Sequence, residues 1–250
     1  MQLVTHHLTS SGGRRSNEDA LKETIGNEFA LFAVADGLGG HSGGALAAHQ
    51  CVETVATAFT RAPGLSDAIL QGLIEQADRA IAALRLERAK PPSSMRTTLA
   101  LLAIYQNSAR WAHVGDSRVY WFRQNVLMQR TRDHSVSELV MGISGVSSVA
   151  APDPADRHRL LRALGAGEGS RAELGSKVVT LQAGDAFLLC SDGVWSLVSD
   201  PEITACRSAA ATPLEWCMAL EQRLCEHTRS NAPDERDNYS MIAGMVTSTD

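Results

Sequence analysis

The sequence predicts an α+β fold in which antiparallel sheets pack beneath helices, in preference to a doubly wound parallel sheet. Three observations carry this expectation. Strand-like apolar runs come in groups, helical patterns come in pairs, and no regular βαβα alternation runs through the chain.

An extended segment at Gln2–Thr9 opens the chain, followed by a Gly/Arg loop. Glu28–Ala35 is apolar enough for a buried strand and stops at Asp36-Gly37. Leu46, Val52, Val55 and Phe59, then Ile69, Leu73, Ala77, Ile81 and Leu84, recur near helical spacing. Strands are expected at Thr97–Tyr105, Ala109–Val114, Arg118–Arg123, Val126–Met128, Val178–Leu181 and Ala186–Cys190. Ser199-Asp200-Pro201-Glu202 and Thr212-Pro213-Leu214-Glu215 both fit a capping box, with Pro213 at the first helical position where its missing donor costs nothing. A strand at Tyr239–Val246 closes the chain.

The 250 residues are 44% apolar and 20% charged, with a formal net charge of −5. Such a chain buries enough surface to fold without staples, and its composition excludes disorder, collagen and coiled coil. The acidic balance, without a Lys/Arg block, argues against nucleic-acid and anionic-membrane partners. The longest apolar runs, Phe29–Ala35 and Leu99–Tyr105, are far short of the ~20 residues that a membrane span needs, and residues 1–15 do not resemble a signal peptide. Cys51, Cys190, Cys206, Cys217 and Cys225 form no CxxC pair and read as reduced thiols of a cytoplasmic protein. No linker divides the chain, so one domain over 1–250 is expected.

The informative feature is the placement of the acids. Asp36 ends the run Phe29–Ala35 and precedes Gly37; Asp192 ends Phe187–Ser191 and precedes Gly193. Asp116 follows Trp111–Gly115, Asp237-Asn238 precedes the last strand, and Glu18-Asp19 lies in a polar loop. A single Asp-Gly after a strand is ordinarily a turn. A carboxylate beside low dielectric is costly, and several converging acids would repel one another unless a cation neutralised them. An oxygen-only cluster selects Mg²⁺ or Mn²⁺, and no His/Cys spacing offers a tetrahedral zinc set. Convergence itself is not legible in a linear sequence.

Six motifs occur in order: Arg14-Arg15-Ser16-Asn17-Glu18-Asp19, Val34-Ala35-Asp36-Gly37-Leu38-Gly39-Gly40-His41, Val114-Gly115-Asp116-Ser117-Arg118, Thr131-Arg132-Asp133-His134-Ser135, Cys190-Ser191-Asp192-Gly193 and Asp237-Asn238-Tyr239-Ser240. The series resembles that of the metal-dependent type-2C (PPM) serine/threonine protein phosphatases in their short bacterial form. The resemblance implies a four-layer α-β-β-α sandwich, two central antiparallel β-sheets flanked by pairs of helices, with two Mn²⁺ or Mg²⁺ ions at one end and room for a third. It implies that Asp36 bridges the two ions, that the Gly37 carbonyl binds one, and that Asp192 and Asp237 complete the other. Glu18 and Asp19 act directly or through water, Asp116 joins Asp192 at a third ion, and Arg14 holds the substrate phosphate. The catalytic residues are then Arg14 and Asp36. The expected substrates are phosphoserine and phosphothreonine in proteins, the partners a bacterial Ser/Thr kinase and its targets, and the chain a monomer. The alternative is a catalytically weak, phosphoprotein-binding regulator. Inactive relatives would be expected to lose a carboxylate, and none is lost here.

Rival readings of these residues are weaker. Ser42 stands where a dinucleotide loop needs its third glycine, and Gly142-Ile143-Ser144-Gly145-Val146 lacks the last glycine of a nucleophile elbow. A calcium loop lacks its alternating acids. Leu38 occupies the position of the family's acid, so the general acid is unassigned; His41 reads as a packing residue and His134 as a turn stabiliser. Arg15 reads as a solvated loop charge, and Arg96 has no explanation in the sequence. The resemblance makes 135–156 a flap over the site.

Overall fold

A computed structural model describes residues 1–39, 43–139, 160–165, 171–229 and 236–249. In chain order the strands are β1 (Gln2–Ser10), β2 (Ala20–Ile25), β3 (Phe29–Ala35), β4 (Gly37–Leu38), β5 (Arg96–Thr97), β6 (Leu99–Tyr105), β7 (Ser108–Val114), β8 (Arg118–Arg123), β9 (Val126–Arg130), β10 (Glu173–Leu174), β11 (Val179–Thr180), β12 (Asp185–Cys190) and β13 (Tyr239–Ser248). The helices are α1 (Gly43–Arg61), α2 (Asp67–Glu87), α3 (Asp192–Trp195), α4 (Asp200–Ala209) and α5 (Pro213–Arg229).

Two antiparallel sheets form the centre. One runs β1-β13-β12-β8-β9; the other runs β10-β7-β6-β3-β2, with β11 also on β7. The continuous apolar runs arise because these strands are buried on both faces. On β3, Ala30, Phe32 and Val34 meet the opposing sheet, while Leu31, Ala33 and Ala35 face α1 and α2. On β12, Phe187 and Leu189 face inward, while Ala186, Leu188 and Cys190 pack under α4 and α5. Phe32 and Phe187 meet across the sandwich with ring centroids 5.1 Å apart, and each buried phenyl contributes about 1.5–3 kcal/mol. The four layers are α-β-β-α, as expected.

Several elements depart from the sequence reading. β2 was not expected, because Lys22 and Glu23 interrupt its apolar pattern. Both charges are matched from neighbouring elements: Lys22 Nζ donates to Glu53 of α1 at 2.8 Å, and Glu23 accepts from Thr5 Oγ1 of β1 at 2.7 Å. β10 and α3 were also not expected, and β11 is shorter than Val178–Leu181. The Glu202 carboxylate accepts from the Ser199 backbone N–H at 2.9 Å, as a capping box requires. The second box is shifted: the Thr212 hydroxyl accepts from the Glu215 N–H at 3.2 Å, but the Glu215 carboxylate accepts from the Ala211 N–H at 2.8 Å.

Cys51, Cys190, Cys206 and Cys217 are buried and Cys225 half-buried, all as free thiols. Among the described residues no helix is long and apolar enough to cross a membrane. The expected flap beyond Leu139, like His41, lies outside the described residues; Ser135 at its start pairs with Leu160, which follows it in the chain.

Candidate active site

The site is assembled at one end of the sandwich by strand pairing. β1 and β13 run antiparallel with Ser10 opposite Tyr239, so the loop after β1 lies against the segment before β13. The Gly13 N–H donates to the Arg236 carbonyl at 2.9 Å, and Arg14 Nη2 donates to Asp237 Oδ2 at 3.1 Å. Asn238 clamps the same junction. Its Oδ1 accepts from the Glu18 N–H at 2.8 Å, and its Nδ2 donates to the Ser11 and Ser16 carbonyls at 3.0 Å each.

Asp36 leaves β3 at the point where β4 turns to pair with β5. The Asp36 N–H donates to Thr98 Oγ1 and the Thr98 N–H to the Asp36 carbonyl, both at 2.9 Å. Gly37 passes directly beneath α1, where a Cβ would collide with the Gly44 backbone and the Glu18 carbonyl. A Cβ on Gly44 would collide with the Glu18 carboxylate, which therefore lies against the first turn of α1, where the helix dipole favours negative charge.

Asp116 is set by Gly115, whose φ of +97° suits glycine and whose missing Cβ leaves room for the Thr98 side chain. His134 stabilises this turn, as expected: the Gly115 N–H donates to His134 Nδ1 at 3.2 Å, and the His134 N–H donates to the Gly115 carbonyl at 2.9 Å. Trp195 Nε1 donates to the Asp116 carbonyl at 2.9 Å, and the Arg118 guanidinium lies 3.6 Å from the centroid of the Trp195 ring. Arg118 is held in turn by a bidentate pair with Asp133 at 2.8 and 2.7 Å. Asp192 opens α3 directly after β12.

A cleft of about 650 Å³ is lined by Arg14, Glu18, Asp36, Gly37, Asp116, Asp192 and Asp237. The acids separated in sequence are thus brought together, and Asp19 lies beside the cleft with Ser191 Oγ donating to its Oδ2 at 2.8 Å. Arg15 and Leu38 also line it; Arg15 is exposed, and Arg96 pairs with Leu38 across β4 and β5. A larger cavity of about 710 Å³, between the start of β1 and the β2–β3 turn, carries only Glu28 as an acid, so size does not identify the site.

The electrostatics disfavour the ionised carboxylates unless positive charge joins them. Burial pushes the Asp19 carboxyl up to about 7, against the hydrogen bonds from Ser191 and Ser240 and reinforced by Asp192 and Asp237. Burial, then Asp192, Asp19 and Asp116, raise Asp36 well above the usual carboxylate range. Asp19 Oδ1 is sealed from solvent with no hydrogen-bond partner among the described residues. A sealed, unmatched carboxylate oxygen within an all-oxygen donor set fits Mg²⁺ or Mn²⁺.

Sequence reasoning did not single out Thr98, Ser117, Ser191, Trp195 or Asn238 as positioning groups. For Ser117, Ser191 and Asn238 the signal was a hydroxyl or amide next to an acid, indistinguishable in sequence from ordinary turn chemistry, whereas Thr98 and Trp195 adjoin no acid and carry no local signal.

Residues 10–226 match the model of the protein phosphatase 2C family. The chain is 33% identical over 205 residues to the serine/threonine phosphatase stp of Listeria monocytogenes, covering 80% of this chain and 77% of that one. It is 31% identical over 192 residues to the serine/threonine protein phosphatase PstP of Mycobacterium tuberculosis, covering 76% of this chain and 36% of that longer protein. The crystal structure of the Mycobacterium tuberculosis phosphatase PstP superposes with a TM-score of 0.82 at 27% identity, covering 98% of this chain and 99% of that one. The PstP catalytic domain in complex with two manganese ions superposes with a TM-score of 0.80 at 27% identity, covering 98% of both chains. With the fold, the acidic cleft and these likenesses in agreement, the chain belongs to the protein phosphatase 2C family of metal-dependent serine/threonine phosphatases, in its bacterial form.

Proposed function

We propose that the whole chain is a single catalytic domain that hydrolyses phosphoserine and phosphothreonine in proteins, with its chemistry at the cleft between Arg14 and Asp192. The observation that carries this reading is the gathering of Asp36, Asp116, Asp192 and Asp237 around one cleft beside an arginine.

Asp36, Asp192 and Asp237, with the Gly37 carbonyl, Glu18 and Asp19, are the groups that would hold two Mn²⁺ or Mg²⁺ ions; Asp116 with Asp192 would hold a third. Bound there, divalent ions lower the pKa of water and neutralise charge on phosphoryl oxygens, which the slow hydrolysis of a phosphate monoester requires. Arg14 supplies a planar, permanently charged fork for those same oxygens. Its present partner, Asp237, keeps the guanidinium over the cleft, and both side chains are about half exposed. No protein nucleophile is needed; with Leu38 at the position sometimes assigned as the family's acid, the general acid is unassigned, and solvent water is a sufficient donor in principle.

The matching partner class is a cytoplasmic bacterial Ser/Thr kinase and the proteins it phosphorylates, met by a monomer. Turnover of p-nitrophenyl phosphate and of a phosphothreonine peptide tests the activity. Both reactions require added Mn²⁺ or Mg²⁺ and stop in Asp36→Asn; activity that persists in that variant refutes the assignment.

A further inference from the structure

A second group of metal-ligating side chains lies outside the cleft. His113 on β7, His134 after β9 and Glu173 on β10 each offer a donor atom, and these atoms lie within 4.8 Å of one another. Strand register builds the group, since Glu173 is the antiparallel partner of His113. The two imidazoles stack with centroids 4.5 Å apart.

The lone pairs follow from the hydrogen bonds. His113 Nε2 lies 2.6 Å from the Arg132 carbonyl, which can only accept, so Nε2 carries the proton and Nδ1 the lone pair. That Nδ1 is sealed from solvent without a hydrogen-bond partner among the described residues, on a side chain whose residue is 1% exposed. Buried polar atoms are seldom left unmatched. His134 accepts from Gly115 at Nδ1, so its Nε2–H donates toward Glu173 Oε2 at 3.4 Å.

We propose that His113, His134 and Glu173 form a site for a transition-metal dication of the Zn²⁺ class, distinct in position and chemistry from the carboxylate cleft. Two imidazoles and a carboxylate suit Zn²⁺ or Co²⁺, whereas the cleft offers oxygen alone. Burial lowers the proton affinity of both rings, His134 to about 4, so neither carries a charge at pH 7 that would repel a cation. Glu173 and Asp133 favour a cation near these rings and Arg162 opposes one. The donors must draw inward to meet an ion at ~2.0–2.2 Å, and the Glu173 side chain is 52% exposed.

Coordination has a defined consequence. Bound through Nε2, neutral His134 keeps its proton on Nδ1 and no longer accepts from the Gly115 N–H. Occupancy therefore releases the amide one residue before Asp116.

Co²⁺ is the first probe, because a tetrahedral nitrogen/oxygen site absorbs visibly more strongly than an octahedral oxygen site. The tetrahedral absorption is expected to saturate at a single ion in the unmutated protein, to persist in Asp36→Asn and to vanish in Glu173→Gln, with the thermal unfolding of Glu173→Gln unchanged. Zn²⁺ added to ¹⁵N-labelled protein is expected to move the His134 proton from Nε2 to Nδ1. Absorption that survives Glu173→Gln, that is lost in Asp36→Asn, or that never develops overturns the proposal. Loss of phosphatase function in Asp36→Asn bears only on the cleft, so the two assignments fail separately.

Discussion

Asp36 and Thr98 exchange two hydrogen bonds of 2.9 Å, Asp36 N–H to Thr98 Oγ1 and Thr98 N–H to the Asp36 carbonyl, so the central acid of the cleft is fixed through its backbone by the neighbouring strand segment. Thr98 Oγ1 also lies 2.7 Å from Ser117 Oγ, linking Asp36 to the residue after Asp116. Thr98→Val keeps the shape and strands the Asp36 N–H and the Ser117 hydroxyl. Unfolding in urea is expected to report a loss of about 1–3 kcal/mol, and a Mn²⁺ titration a weaker site.

Asp36→Asn removes a charge that several proposed ligands share. Metal-assisted charge stabilisation is worth several kcal/mol, so kcat is expected to fall by at least about a thousandfold. Without metal the same variant is expected to melt higher than the parent at pH 8, because burial and the charges of Asp192, Asp19 and Asp116 disfavour the ionised Asp36. Calorimetry with and without Mn²⁺ checks both signs.

Arg14→Ala removes the phosphate fork and leaves Asp237 in place. A charge-assisted hydrogen bond of about 1.5–3 kcal/mol corresponds to a rise in KM of roughly 10- to 150-fold. Isothermal titration of Mn²⁺ into the variant is expected to return the parent's high-affinity sites; their complete loss would contradict the assigned role.

Asp19 sets a pH dependence of the metal-free protein. Its folded value of about 7 exceeds the ordinary 3.8, so between these values the folded state binds more protons than the unfolded one. Stability from this group is complete below about pH 4 and declines as the pH rises through 7. Divalent metal competes with those protons, so the Mn²⁺-induced rise in Tm is expected to be larger at pH 8 than at pH 5, measured by differential scanning fluorimetry.

Asn238→Asp tests the clamp between the first and last strands. A carboxylate still accepts from the Glu18 N–H but cannot donate to the Ser11 and Ser16 carbonyls. A stability loss on the order of 2 kcal/mol is expected. Activity is expected to fall further than stability, since Glu18 and Asp237 move with the clamp.

Local order was readable from residue spacing. Strands buried on both faces leave unbroken apolar runs, so Phe29–Ala35 and Leu99–Tyr105 identify themselves, and the Ser199–Glu202 box does the same for α4. The acids next to glycine at strand ends marked where chemistry sits, and the order of the six motifs pointed to the family. β2 was hidden because Lys22 and Glu23 find partners on α1 and β1, contacts that a linear pattern does not carry. β10 is hidden because two residues are too short for a period and acquire strand geometry only by pairing with β7.

Composition and local spacing by themselves determined most of the elements, antiparallel sheets with helices packed outside, and which carboxylates to suspect, while the four-layer arrangement came with the resemblance of the six motifs. Only the tertiary structure decided that those carboxylates share a cleft, because their meeting depends on pairings such as Ser10 with Tyr239 and on the close passage of Gly37 beneath Gly44. Periodicity records what a residue's near neighbours in sequence require, whereas repulsion among Asp19, Asp36 and Asp192 exists only once folding has brought distant segments within reach.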